Sequence, residues 1–303
     1  MMEFTDFQRA CRTLLPEISL LFNEPMSKHT SFRIGGPAEV MAFPKNDDQL
    51  REILIASKEM DCNFAILGAG TNILAPDAGV TGLVICLKDC LDGMELLDNG
   101  CIRVAAGVTM TRVAVFAASN GLSGLEFAHG IPGTVGGGIY MNAGAYGGQL
   151  SDICKSVDVM QPNGEIVTLT AEKMGFAYRH SRLEGTNDIV LNAVFDLSEK
   201  PEGEIRAYMQ ELMAKRKASQ PLEYPSAGSA FKRPVGGYAA ALIDQTGLKG
   251  MMVGKAAVSQ KHAGFVINLG GATSADVKML LQKVAEAVQT NTGIALEPEI
   301  RIW

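Results

Sequence analysis

A run of glycines in the middle of the chain constrains the fold more than any other feature of the sequence. The stretch from Gly130 to Gly148 reads GIPGTVGGGIYMNAGAYGG. A glycine inside a regular element costs about 0.5–1 kcal/mol relative to alanine, so such a cluster needs a reason. A flexible linker is one explanation, but linkers are polar, whereas Ile131, Val135 and Ile139 are bulky and apolar. The pattern favours a buried loop whose backbone closely approaches a ligand and whose bare N–H groups face a phosphate or a ring.

The size and charge of the chain exclude several classes of protein. At 303 residues the chain exceeds what one hydrophobic core serves well, which predicts two or three lobes. Its net charge of −6 argues against general nucleic-acid binding, which needs a basic face. No apolar run reaches membrane-spanning length, and the opening MMEFTDFQRACRTLL does not read as a signal peptide. We therefore expect a cytoplasmic protein with neither a membrane nor a nucleic-acid partner, and the sequence leaves its oligomeric state open.

The cysteines indicate neither disulfides nor a metal site. Six are scattered along the chain without a CxxC pair, at positions 11, 62, 86, 90, 101 and 154. Cys86 and Cys90 come closest to a pair, but no second pair or histidine stands at the spacing of metal ligands. The sequence therefore predicts free thiols and no bound metal.

The spacing of apolar residues predicts a mixture of helices and strands. Helices are expected over residues 4–15, after a cap at Asn46, after a cap at Thr109, over 202–219, over 238–246, and from a cap at Ser274 to Gly293. Strands are expected over residues 40–44, 63–67, 84–87, 94–97, 102–105, 157–160, 166–169, 189–197, 255–258, 265–268 and, as an edge-like strand, 295–303. The turn sequences Asp98-Asn99-Gly100 and Pro162-Asn163-Gly164 predict two hairpins.

A second glycine turn follows the strand that ends near Leu67. The stretch LGAGTNIL is similar to a dinucleotide fingerprint, but Ile73 stands where the third glycine belongs. No helical pattern of ten residues follows before Pro76, which argues against a nicotinamide-binding Rossmann unit. Two interpretations remain open, a tight anion-binding turn and a plain turn that ends a strand.

Six stretches together resemble one enzyme family. They are RIGGPAE (33–39), LGAGTNIL (67–74), GIPGTVGGGIYMNAGAYGG (130–148), YRHSRL (178–183), AGSAFKRP (227–234) and LEPEIR (296–301). In this order and at this spacing they resemble the UDP-N-acetylenolpyruvoylglucosamine reductases, flavoenzymes that make UDP-N-acetylmuramate for peptidoglycan. Each stretch alone is a weak signal, whereas the joint match is specific.

The resemblance implies an α+β fold with two domains. Residues 1–199 would form an FAD-binding domain of the vanillyl-alcohol-oxidase and p-cresol-methylhydroxylase type, with FAD between its two lobes. Residues 200–303 would form a smaller α+β substrate-binding domain whose C-terminal strand returns to the active site. The turn from Leu67 to Leu74 lacks a histidine, the residue that links flavin covalently in related oxidases, so we expect noncovalent FAD.

The resemblance also implies which residues bind the cofactor. They fall in the two glycine-containing stretches: Leu67, Gly68, Ala69, Gly70, Thr71, Asn72, Gly130, Ile131, Pro132, Gly133, Thr134, Gly136, Gly137, Asn142, Ala143, Gly144 and Ala145. His129 adjoins the second stretch, and both a flavin contact and a purely structural role remain open for it.

The implied reaction needs a hydride and a proton. NADPH would reduce FAD, and the hydride would pass to the terminal carbon of the enolpyruvyl group of UDP-N-acetylglucosamine enolpyruvate. By the family match, Ser229 donates the proton to the adjacent carbon, while Arg179 and Glu299 stabilise the enolate-like intermediate. A guanidinium offers fixed donors to a developing oxyanion, and a poorly solvated carboxylic acid can donate a hydrogen bond. The serine would need a neighbour such as Lys232 to favour its alkoxide form.

Each catalytic residue also has an ordinary explanation. Ser229 could be a turn residue and Glu299 a surface charge, while Arg179 could pair with Glu172 or Glu184. Only the joint family match favours catalysis over these explanations. The residues expected to bind the substrate are Tyr140, Lys232, Arg233, Lys261 and His262.

The chain departs from the longer members of the family. Those carry an inserted segment with a tyrosine that closes over the substrate, and only six residues separate Arg182 from Ile189 here. The chain therefore resembles the shorter subfamily, and the cover of its substrate is undefined. Two rival functions remain, a flavin oxidase of the same fold and a noncatalytic nucleotide-sugar binding protein.

Overall fold

The computed structural model describes residues 5–303, and side chains cap the starts of several of its helices. The helices are α1 (Asp6–Leu14), α2 (Asp47–Glu59), α3 (Met110–Ser119), α4 (Val135–Tyr140), α5 (Glu202–Ser219), α6 (Ala239–Gln245) and α7 (Ser274–Thr292). The side chains of Asn46 and Thr109 accept backbone hydrogen bonds at the starts of α2 and α3, as predicted. Phe4, part of the predicted first helix, lies outside the described residues.

The predicted cap of the last helix is wrong by one residue. Thr273, not Ser274, caps α7, since its hydroxyl accepts the N–H of Asp276 at 3.0 Å. The Asp276 carboxylate in turn accepts the N–H of Thr273 at 3.0 Å, which completes a capping box. Gly293 ends the helix in the left-handed conformation, with φ of 74°, as predicted.

The strands follow the predicted hairpins. They are β1 (Ser19–Pro25), β2 (Pro37–Phe43), β3 (Phe64–Leu67), β4 (Ile73–Leu74), β5 (Val80–Cys86), β6 (Met94–Leu96), β7 (Cys101–Ala105), β8 (Leu122–Ser123), β9 (Gly144–Ala145), β10 (Gly148–Gln149), β11 (Cys154–Met160), β12 (Ile166–Thr170), β13 (Ile189–Asp196), β14 (Ser198–Glu199), β15 (Ser226–Ser229), β16 (Met252–Val253), β17 (Ala256–Val258), β18 (Phe265–Asn268) and β19 (Arg301–Ile302). Strands β6 and β7 pair antiparallel around Asn99 and Gly100, and β11 pairs with β12, so both predicted hairpins are confirmed.

The contacts divide the chain into two compact units. Unit 1 comprises the described residues up to Asn23, then Glu39–Ala69 and Thr81–Lys215. Unit 2 comprises Glu24–Ala38, Gly70–Val80 and Arg216–Trp303. Two segments from the first third of the chain, Glu24–Ala38 and Gly70–Val80, therefore belong to the same unit as the C-terminal residues. The boundary between folding domains near residue 200 stays a prediction.

Unit 1 is built on two sheets. It contains most of a four-stranded sheet of order β1-β2-β5-β3, in which β3 and β5 run parallel. Its second sheet is antiparallel, of order β12-β11-β13-β7-β6. One buried apolar cluster joins both sheets to helices α2 and α3. The fold class is α+β, as the sequence predicts.

Unit 2 contains a second core around an antiparallel sheet of order β15-β18-β17-β16. Helix α7 packs on β16 and β17, and its buried residues include Val277, Leu281 and Val288. The C-terminal strand is much shorter than predicted, since only Arg301 and Ile302 form a strand, β19, which pairs parallel to β4. Pro298, which lacks an N–H, explains part of the difference, although it still forms an isolated bridge with Phe231.

Candidate active site

The glycine-rich stretch is partly helical, which corrects the prediction of a loop. Helix α4 occupies Val135–Tyr140, and the Thr134 hydroxyl accepts the N–H of Gly137 at 3.5 Å at its start. Val135 and Ile139 are fully buried in the core of unit 1. Burial of these side chains outweighs the low helix propensity of three consecutive glycines. The sequence signal was present in the spacing of Val135 and Ile139.

The three glycines of α4 have different surroundings. A Cβ on Gly136 would lie 2.9 Å from the Ala106 Cβ, and one on Gly138 would lie 2.8 Å from the Leu150 Cδ1. Packing within unit 1 therefore excludes a side chain at both positions. A Cβ on Gly137 would meet only the Thr134 Oγ1, at an ordinary 3.6 Å. Protein neighbours do not explain why residue 137 is glycine, so its exposed surface is open to a ligand.

Both glycines of the turn after β3 have other protein atoms close to the position that a Cβ would occupy. A Cβ on Gly68 would lie 2.5 Å from the Thr134 Oγ1, which belongs to the same unit. Within unit 2, Gly70 has φ of 61°, and a Cβ there would lie 2.1 Å from the His29 carbonyl oxygen. These close approaches require glycine whether or not the turn binds an anion.

The backbone donors of this turn distinguish the two interpretations left open by the sequence. Within residues 5–303, the N–H groups of Gly68, Ala69, Gly70 and Asn72 donate no hydrogen bond to another residue. Gly70 is buried, and buried backbone N–H groups nearly always have a partner. Within unit 2, the unpartnered donors of Gly70 and Asn72 fit an anionic ligand better than a plain strand-ending turn.

Arg179 lies in unit 1 on a tight turn between Ala177 and His180. Its backbone adopts φ of 54°, a left-handed conformation that is uncommon for a bulky side chain. The Nη2 donates to the carbonyl oxygen of Gly144 at 3.0 Å, and the guanidinium lies 5.0 Å from the ring centre of Tyr178. Glu184, one of the carboxylates considered as its partner, pairs with His180 at 2.7 Å.

Two buried polar residues hold this turn against the glycine-rich stretch. The Asn142 side chain donates to the carbonyl oxygen of Ala177 at 3.0 Å and accepts the N–H of Ser151 at 2.9 Å. The buried Ser181 hydroxyl donates to the carbonyl oxygen of Tyr140 at 2.8 Å. Asn142 was expected to bind the cofactor, which stays a prediction, and its side-chain amide makes these contacts within the protein. Tyr140, expected at the substrate, is half-buried at the end of α4.

Ser229 is the last residue of β15 in unit 2, and its side chain is exposed. It pairs with Phe265 across a bulge that contains Gly228, whose φ is 77°. The bulge turns the strand at this point. The N–H of the next residue, Ala230, donates to the carbonyl oxygen of Gly264 at 2.8 Å. The hydroxyl of Ser229 thus lies at the end of β15, where backbone pairing with Phe265 and Gly264 fixes the main chain.

Glu299 lies next to this strand in the same unit. Its N–H donates to the carbonyl oxygen of Ala230 at 2.9 Å, and its own carbonyl oxygen accepts the side-chain amide of Asn72 at 3.1 Å. The N–H of Arg301 donates to the Asn72 carbonyl oxygen at 2.9 Å. Unit 2 therefore brings together Ser229, Glu299 and Asn72, which are far apart in the sequence.

The four basic residues expected at the substrate have different environments. Lys232 forms a 2.5 Å ion pair with Glu297, and the Arg233 guanidinium lies 4.4 Å from the ring centre of Tyr238. The Lys261 ammonium donates to the carbonyl oxygen of Lys217 at 2.8 Å. Burial lowers the pKa of His262, and its Nδ1 accepts the N–H of Gly264 at 3.1 Å. His262 is therefore a neutral ring at pH 7 rather than a cation.

Sequence reasoning missed Ser31, which lies two residues before the motif RIGGPAE. Its hydroxyl donates to the carbonyl oxygen of Ser226 at 2.6 Å, and its N–H donates to the carbonyl oxygen of Gly70 at 3.1 Å. It therefore ties the strand of Ser229 to the turn after β3 within unit 2. The polar run SKHTS was its only signal in the sequence.

Several cysteines and His129 lie in environments that affect their pKa. The six cysteines are free thiols, as predicted, and burial raises the pKa of Cys86 to about 11 and that of Cys154 to about 12. Burial also lowers the pKa of His129, whose Nδ1 has no hydrogen-bond partner among residues 5–303. That range contains no group of three His, Cys, Asp or Glu side chains placed to hold a metal, and no helix in it could cross a bilayer.

Comparisons with known proteins identify the two parts of the chain separately. A family model described as an FAD binding domain matches residues 38–170. A second model, described as the C-terminal domain of UDP-N-acetylenolpyruvoylglucosamine reductase, matches residues 220–303. The first model includes the turn after β3 and the glycine-rich stretch, and the second includes Ser229 and Glu299.

Whole-chain comparisons agree with these matches. The chain is 45% identical to the UDP-N-acetylenolpyruvoylglucosamine reductase of Agathobacter rectalis, over 98% of either chain. It is 44% identical to that of Caldanaerobacter subterraneus, over 96% of either chain. The crystal structure of the reductase from Thermus caldophilus superposes with a TM-score of 0.78 at 34% identity, covering 95% of this chain and 99% of that one. The chain belongs to the UDP-N-acetylenolpyruvoylglucosamine reductase family, FAD-dependent oxidoreductases of peptidoglycan precursor synthesis.

Proposed function

We propose that this chain reduces UDP-N-acetylglucosamine enolpyruvate to UDP-N-acetylmuramate with NADPH as the reductant. The observation that carries the proposal is the match, over nearly their whole length, to relatives named for this reductase. Bound FAD would supply the redox chemistry, the transfer of a hydride from NADPH to the terminal carbon of the enolpyruvyl double bond. The cytoplasmic location stays a prediction.

The residues of the turn after β3 fit the diphosphate of FAD. Gly68, Ala69, Gly70 and Asn72 offer N–H groups without a partner among the described residues. Within unit 1, Gly137 separately offers a surface on which a Cβ would meet no close protein atom. Backbone donors bind phosphate without a cationic side chain, which suits a protein of net charge −6. The remaining residues expected at the cofactor stay predictions.

Three side chains of this chain are proposed to complete the reaction. Ser229, exposed at the end of β15, donates a proton to the carbon next to the one that receives the hydride. Arg179 and Glu299 stabilise the negative charge that develops on the substrate before that proton arrives. The polar contacts that fix Arg179 and the backbone of Glu299 support these roles, because preorganised groups need little reorganisation during the reaction.

The visible spectrum of the flavin tests the proposal and separates it from its two rivals. The purified protein should be yellow, NADPH should bleach it without oxygen, and the enolpyruvyl substrate should restore the colour. A colourless protein that binds the nucleotide sugar would support a noncatalytic binding protein. Rapid reoxidation by oxygen, with no response to the nucleotide sugar, would support an oxidase.

Gly137→Val tests whether α4 contacts the cofactor. Valine has a higher helix propensity than glycine, and its Cβ meets the Thr134 Oγ1 at an ordinary 3.6 Å, so the apoprotein should keep its melting temperature. If FAD lies against this surface, the new side chain should weaken FAD binding by about 10–100-fold, since steric overlap costs about 1–3 kcal/mol. Titration of the apoprotein with FAD, followed by flavin fluorescence, measures the effect.

The contrasting variant is Gly138→Val. Its Cβ would lie 2.8 Å from the Leu150 Cδ1, so this substitution should lower the melting temperature of the apoprotein itself. FAD affinity equal to wild type in Gly137→Val would show that this face of α4 does not touch the cofactor.

A further inference from the structure

We propose that Asn72 is a positioning residue for Glu299 and couples the cofactor turn to the site of proton transfer. The inference rests on the proposed function, because it assigns a task to the backbone that carries Glu299. It adds a second role to a residue that the family match places only at the cofactor.

Asn72 holds the C-terminal segment by two hydrogen bonds on either side of residue 300. Its side-chain amide donates to the carbonyl oxygen of Glu299 at 3.1 Å. Its own carbonyl oxygen accepts the N–H of Arg301 at 2.9 Å. The parallel pairing of Arg301 with Ile73 and of Ile302 with Leu74 continues from this point. The side chain of Asn72 therefore extends the short pairing of β4 and β19 back to Glu299.

The opposite edge of the same segment is fixed by the residues that directly follow β15. The N–H of Glu299 donates to the carbonyl oxygen of Ala230 at 2.9 Å, and the N–H of Lys232 donates to the carbonyl oxygen of Glu297 at 2.8 Å. The backbone of Glu299 is thus held from both sides, by Ala230 at its N–H and by Asn72 at its carbonyl oxygen. Without the amide of Asn72, the carbonyl side would be left without this partner, while β15 would be unchanged.

The main-chain N–H of Asn72 has a different proposed role from the side-chain amide. Its N–H is one of the turn donors that have no partner among residues 5–303. Binding of a phosphate by that N–H would restrain the residue whose side chain restrains Glu299. A displacement of about 1 Å at a reacting group can slow a reaction by 10²-fold, so this restraint would matter for catalysis more than for folding.

Asn72→Ala is the direct test, since it removes the amide and leaves every main-chain group in place. We expect FAD affinity and the rate of flavin reduction by NADPH to stay within a few-fold of wild type. Reoxidation by the enolpyruvyl substrate should slow by about 10–100-fold through its limiting rate rather than through substrate affinity. The matched control is Asn291→Ala on α7, where an exposed asparagine amide also donates to a carbonyl, that of Ala287, at 2.8 Å. It should change neither half-reaction.

A double-mutant cycle with Glu299→Gln shows whether Asn72 acts through Glu299. If it does, the double variant should reoxidise no more slowly than Glu299→Gln alone. Slowing by the product of the two single effects would overturn the inference, as would a large loss of FAD affinity or a normal reoxidation rate in Asn72→Ala. The proposed function fails separately, if the reduced wild-type enzyme does not respond to the substrate.

Discussion

Ser229→Ala is expected to leave flavin reduction by NADPH near the wild-type rate while reoxidation by the enolpyruvyl substrate slows by about 10²–10⁴-fold. This range is usual for the removal of a general acid. The two half-reactions respond differently because the proton is needed only after the hydride has left the flavin. Stopped-flow measurement of the flavin absorbance without oxygen records both rates on the same protein.

The surroundings of Ser229 indicate that this substitution should remove the hydroxyl without disturbing the fold. Its side chain is exposed, so deleting the hydroxyl leaves no buried cavity. The strand is held by main-chain bonds, including that from the Ala230 N–H to the Gly264 carbonyl oxygen at 2.8 Å, which alanine does not disturb. We therefore expect FAD content and melting temperature to match those of the wild type.

Ser226→Ala is the matched control on the same strand. Its carbonyl oxygen accepts the Ser31 hydroxyl at 2.6 Å, a main-chain contact that survives the substitution. Both half-reactions should remain at wild-type rates in this variant. Equal slowing of reduction and reoxidation in Ser229→Ala would assign Ser229 to binding or to structure instead of to proton transfer.

Local features of the fold could be predicted from the sequence because their causes are local. The caps at Asn46 and Thr109 are side chains that bond to N–H groups three residues away. The Asn99-Gly100 turn is predictable because both residues adopt positive φ at low cost, here 55° and 73°. Helix α4 escaped prediction because its stability comes from the buried Val135 and Ile139 rather than from helix propensity.

The arrangement around Glu299 could not be predicted from sequence spacing. Asn72 and Glu299 are 227 residues apart in the chain, and neither lies in a strand. The family resemblance named Ser229 and Glu299 without their main-chain partners. Which backbone group pairs with which depends on tertiary packing, and no local pattern encodes it. Ser31 could not be predicted for the same reason, since its contacts with Gly70 and Ser226 span 39 and 195 residues of the chain.

Arg179 occupies a backbone conformation that a different residue would adopt more easily. Its φ of 54° places a long side chain in the left-handed region, which costs about 1 kcal/mol relative to a residue that tolerates it. Asparagine and glycine are such residues. Strain of this kind persists at functional sites, where the side chain contributes something that the relaxed residue cannot. The candidate contribution of Arg179 is its guanidinium.

Arg179→Asn therefore separates stability from catalysis. The substitution removes a half-buried hydrogen bond to the Gly144 carbonyl oxygen, worth about 1 kcal/mol, and relieves backbone strain of similar size. The melting temperature should consequently stay within about 4 °C of the wild-type value. Substrate-driven reoxidation should slow by about 10²–10³-fold, as when one stabilising donor is removed from a developing oxyanion. Flavin reduction by NADPH should change little.

Arg182→Asn is the matched control, because Arg182 is an exposed arginine in the same YRHSRL motif, three residues further on. It should leave both half-reactions and the melting temperature unchanged. A purely structural Arg179 predicts the opposite pattern for Arg179→Asn, a lower melting temperature with a normal reoxidation rate, because the guanidinium would then hold the surrounding structure, including the Gly144 carbonyl. In Arg179→Asn, relief of backbone strain raises stability and loss of the hydrogen bond lowers it, so the two effects on the melting temperature offset each other. Neither effect restores the guanidinium that catalysis would need. The melting temperature and the reoxidation rate of this one variant therefore distinguish a structural role from a catalytic one.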